Sequence, residues 1–71
     1  MKNSRATDLL VRDCGTLWQF FPLSKSASDW IDMNVQAEPW QWMDRSLVVD
    51  WRFVEPLING ARGAGLEVTI S

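Results

Sequence analysis

The 71-residue chain has no histidine and one cysteine, Cys14. A lone cysteine cannot close a disulfide within the chain, and without imidazole neither a Cys/His zinc site nor a Ser/His/Asp or Cys/His nucleophilic centre can be assembled. Long apolar runs are also missing: none approaches the roughly 20 residues that cross a bilayer. The opening Met1-Lys2-Asn3-Ser4-Arg5 is charged but leads into no signal-peptide core, so the expectation is a soluble, cytoplasmic protein with no membrane partner. Positive charge is scarce, with seven Lys and Arg against nine Asp and Glu, a net charge of −2. Length leaves room for one domain, residues 1–71, with residues 1–6 as a flexible arm. The 46% hydrophobic content, with five Trp and three Phe, gives that domain the means to fold and excludes a disordered tail.

The charge is unevenly divided. Lys2, Arg5 and Arg12 outnumber Asp8 in the first twelve residues, whereas between Ser26 and Trp51 the carboxylates Asp29, Asp32, Glu38, Asp44 and Asp50 face Arg45 alone. Such a stretch repels phosphate, which disfavours direct nucleic-acid binding except through the short basic arm. It reads either as a solvated face that keeps a Trp-rich domain soluble or as a surface that a basic partner recognises.

Leu9-Leu10-Val11-Arg12 and Thr16 to Phe21 are strand-like and flank Asp13-Cys14-Gly15. A two-residue Cys14-Gly15 turn would pair Val11 with Trp18 and Leu9 with Phe20, placing these four on the core face. A competing reading makes residues 4–12 a short helix. Ser24 stands where an N-cap belongs, and Ala27, Trp30, Ile31 and Asn34 or Val35 lie beyond it at helical spacing, which predicts an amphipathic helix over residues 25–34 with Ser28, Asp29 and Asp32 outward. Val35 to Arg45 reads as a polar connection. It carries Trp40 and Trp42, which point the same way if the segment is extended, either covering one end of the core or forming an exposed patch for a partner. Ser46 to Asp50 is a buried strand, with Asp50 as the cap of a second helix. Phe53, Val54, Leu57, Ile58 and Ala61 form the apolar stripe of that helix, regular from about Pro56 to Ala64 and closed by Gly65 with Leu66. Leu66 to Ile70 alternates as a half-buried strand. The order ββαβαβ predicts an α+β two-layer sandwich, a four-stranded sheet with both helices on one face.

Little in the chain can carry chemistry. Gly60-Ala61-Arg62-Gly63-Ala64-Gly65 superficially resembles a phosphate loop but ends a helix, where no such loop belongs. Asp29 with Asp32, or Asp44 with Asp50, lacks a neighbouring Lys or Arg cluster for metal-dependent catalysis, and no base stands ready to activate Cys14. The expectation is a non-enzyme with no catalytic residues, no metal, no cofactor and no small-molecule substrate.

Val11-Arg12-Asp13-Cys14-Gly15, Phe21-Pro22-Leu23-Ser24, Trp30, Asn34-Val35, Trp40-Gln41-Trp42, Ser46-Leu47-Val48-Val49 with Arg52-Phe53-Val54, and Ala64-Gly65-Leu66 together resemble the pattern of small proteins of phages, prophages and other mobile elements. The likeness spans residues 11–68; Pro56, Gly60 and Gly63 depart from it in the second helix. It extends to anti-CRISPR proteins, which are small, acidic and non-enzymatic, and some of which mimic DNA. What the resemblance implies is a monomeric, stoichiometric inhibitor of a host nucleic-acid-binding complex such as a CRISPR effector. Asp29, Asp32, Glu38 and Asp44, with Trp40 and Trp42, would meet its basic groove. The alternative is a nucleic-acid-binding accessory protein that uses the basic arm and exposed tryptophans.

Overall fold

Gly15 sets the first hairpin. The computed structural model describes residues 6–71, and in it β1 (Leu9–Cys14) and β2 (Leu17–Pro22) pair antiparallel around a Gly15-Thr16 turn. Gly15 has φ +91°, and its amide donates to the Asp13 Oδ1 at 2.8 Å. A positive φ at the first central residue alone marks a type II′ turn, which glycine adopts without steric cost. The expected turn therefore moves by one residue. Val11 faces Phe20, not Trp18, and Leu9 faces Pro22. Because the pairing slips by two, the faces are kept: Leu9, Val11 and Phe20 are buried together, with Trp18 packed against them. The helical alternative for residues 4–12 gives way to β1 from Leu9 onward; the arm expected at residues 1–6 lies, but for Ala6, outside the described residues.

Helix α1 (Lys25–Asn34) has the predicted bounds. Pro22 ends β2, the Ser24 hydroxyl accepts from the Ala27 amide at 3.1 Å, and Ala27 and Ile31 are buried one turn apart. Beyond it the chain departs from the expected plain connection. Pro39–Gln41 form a 3₁₀ turn, and Trp42–Met43 form a strand, β3, that pairs antiparallel with β4 (Ser46–Asp50) through a turn in which Asp44 has φ +56°. The sheet thus has five strands where four were expected.

Asp50 does act as a cap, but the element it caps is a 3₁₀ turn, Trp51–Phe53, ahead of helix α2 (Val54–Gly63). Pro56 falls in the first turn of α2, where its missing amide costs no helical bond. Phe53, expected in the helical stripe, lies in that preceding turn and is 58% exposed, while Val54, Ile58 and Ala61 carry the buried face. Gly65, at φ +88°, ends the helix: its amide reaches the Arg62 carbonyl and that of Leu66 reaches Ala61, the paired bonds of a Schellman cap with Leu66 buried. Strand β5 (Val68–Ile70) then pairs parallel with β1.

The mixed sheet runs β3-β4-β2-β1-β5. Its pairings make β3 parallel to β2 and β5 parallel to β4, so each helix spans the step between two like-directed strands. Leu9, Val11, Phe20, Leu47 and Val49 form one face and join Ala27, Ile31, Val54, Ile58 and Ala61 in a single core. The class is α+β. No helix among the described residues is long and apolar enough to cross a membrane.

Candidate functional site

Trp40 and Trp42 part company because the segment between them is not extended. In the Pro39–Gln41 turn, Pro39 supplies a preset φ, and the Glu38 amide donates to the Gln41 Oε1 at 2.8 Å. The Gln41 Nε2 in turn donates to the Val48 carbonyl at 3.2 Å, fastening the turn to β4. Trp40, at the middle of this braced turn, is 75% exposed, whereas Trp42, in β3, is half-buried against the core. Of the two indoles proposed for a partner, Trp40 is presented to solvent and Trp42 packs inward.

Beside Trp40 lies a groove of about 580 Å³, bounded by the end of α1, the 3₁₀ turns and the start of α2. Leu17, Val35, Trp40, Val49, Phe53 and Leu57 supply most of its apolar lining, and Asp50 is the one charged side chain in that lining. Asp50 is occupied. Its Oδ1 accepts from the Arg52 backbone amide at 2.9 Å and from the Arg52 Nε at 3.1 Å. These bonds from Arg52, side chain first and backbone second, hold the carboxyl below its ordinary range, and Asp50 in return raises the Arg52 pKa. The same guanidinium lies 6.0 Å from the centroid of the Phe53 ring.

The four carboxylates singled out from the sequence are all exposed and come from three separate places: Asp29 and Asp32 on α1, Glu38 at the start of the 3₁₀ turn, and Asp44 in the β3–β4 turn. Asp29 is held by Lys25 at 2.8 Å, an i, i+4 pair that raises the lysine pKa through the hydrogen bond and then the charge. Asp32 and Asp44 make no ion pair among the described residues. Nor do any three Cys, Asp or Glu side chains among those residues form a group able to hold a metal ion. The carboxylates make a dispersed acidic surface.

The sequence left Trp40 and Trp42 open between covering the core and forming an exposed patch; the structure divides them, and the groove beside Trp40 has no counterpart in the sequence reading. Leu17 is 49% exposed, and it shares the groove with Phe53 through its pairing with Asp50, a long-range register with no local signature. Comparison of the chain with protein-family models, with curated proteins and with solved structures gave no match.

Proposed function

We propose that this protein is a non-enzymatic, stoichiometric binder of a cationic partner protein, acting through its acidic surface with Trp40 as an anchor. The observation that carries the reading is the exposure of Trp40 on a braced turn, two positions after Glu38, in the lining of a largely apolar groove that no cationic side chain lines. An exposed indole on a fixed backbone is a favourable hot-spot residue, and surrounding carboxylates speed encounter with a basic surface and exclude phosphate. The finer proposal is that the partner's surface is one that otherwise holds nucleic acid, a CRISPR effector in a host cytoplasm being the case the sequence resemblance implies. Asp29, Asp32, Glu38 and Asp44 then occupy phosphate positions.

Mobility shifts of single- and double-stranded DNA test the choice between this reading and direct nucleic-acid binding. The isolated protein is expected to shift neither and to release DNA from a basic complex that it inhibits. A direct shift of DNA by the protein alone contradicts the proposal.

A further inference from the structure

The groove beside Trp40 selects for one kind of element within such a partner. Phe53, the other exposed aromatic of the lining, already has a guanidinium over its ring, that of Arg52, which Asp50 holds at 3.1 Å. The cation–ring contact among the described residues is the one on Phe53, which leaves Trp40 without one, and exposed Glu38 stands two positions before it in the chain. An exposed indole face attracts a cation through its ring quadrupole, a planar guanidinium also stacks on it, and a carboxylate two positions away in the chain adds longer-range attraction. The same groove is lined by the apolar Leu17, Phe53 and Leu57, alongside the polar Asn34, Gln36 and Gln41 and the carboxylate of Asp50. The Gln41 bond to the Val48 carbonyl holds the turn in place before binding, which lowers the ordering cost.

We propose that the groove takes an extended segment of the partner in which an arginine stacks over Trp40 and an adjacent apolar residue enters between Leu17, Phe53 and Leu57. The inference rests on the reading of the protein as a binder of cationic partners and names the part of the partner that this groove reads.

Fluorescence polarisation with three short labelled peptides tests it: alternating arginine and leucine, alternating citrulline and leucine, and alternating arginine and serine. The first is expected to bind, and the other two to bind about tenfold more weakly or worse, since a hot-spot contact carries at least that factor. Trp40→Ala, with its fold checked by circular dichroism, is expected to lose the preference for the first peptide. Equal binding of the arginine–serine peptide overturns the groove as the reader while leaving the acidic-surface reading intact. Equal binding of the citrulline peptide overturns the stacked arginine. Absence of binding by all three, or unchanged selectivity in Trp40→Ala, overturns the inference as a whole.

Discussion

Gly60 is where α2 meets the indole of Trp30 from α1: a Cβ placed there would lie 3.1 Å from the Trp30 Cζ2. The same addition at Gly63 meets nothing within 4 Å. Alanine is the better helix former by about 1 kcal/mol at either position. Gly63→Ala is therefore expected to raise stability by about 0.4–1 kcal/mol, and Gly60→Ala to fall below it because Trp30 must shift; paired urea melts check the order. The core makes a larger contrast. Phe20 is 1% exposed and Arg12 lies on the open sheet face, so Phe20→Ala is expected to cost about 3–5 kcal/mol and Arg12→Ser no more than about 0.5 kcal/mol. Equal small losses would place the wrong residues in the core.

Caps and turns decide the elements. Ser24→Ala removes the acceptor for the Ala27 amide and is expected to lower stability by about 1 kcal/mol, with helical signal lost alongside. At the boundary between β4 and the second 3₁₀ turn the cap is charged: the Asp50 pKa is depressed in the folded protein, so its contribution is present above the ordinary carboxylate pKa and is lost as pH falls through the folded value. Asp50→Asn keeps a capping side chain but not the ion pair, and acid titration of its stability is expected to lack that acid-side component. Local chemistry of this kind is what made α1 legible from sequence, since Pro22, Ser24 and the Ala27–Ile31 spacing all act within one segment. Strand β3 was not legible because two residues, Trp42 and Met43, have no period, and their pairing with Leu47 and Ser46 depends on a turn at Asp44 in the left-handed region. The hairpin lay between these cases. Gly15 announced a primed turn, but glycine fits either central position of such turns, and only the Gly15 amide's bond to the Asp13 carboxylate and the pairing of Phe20 with Val11 select one.

At the scale of the molecule, the buried core holds no charged side chain among the described residues. The helices cover one face of the sheet, and the acidic side chains from α1, the Trp40 turn and the β3–β4 turn remain outside the core. The charge gradient was readable from composition, but the groove was not, because Leu17, Trp40 and Phe53 meet only through sheet register and two 3₁₀ turns. If the acidic surface binds a basic partner, Asp29→Lys with Asp32→Lys should abolish binding while leaving the fold near wild type. The lost Lys25–Asp29 pair and the new like-charge contact are worth only about a few tenths of a kcal/mol. The central claim is tested most directly by competition: for a partner identified by cross-linking to this protein, its affinity is measured against salt, with and without duplex DNA. The account predicts that this protein and DNA exclude one another, that log K falls linearly with log salt, and that the double reversal removes binding. Simultaneous binding of DNA and this protein, or an affinity indifferent to both salt and the reversal, would contradict it.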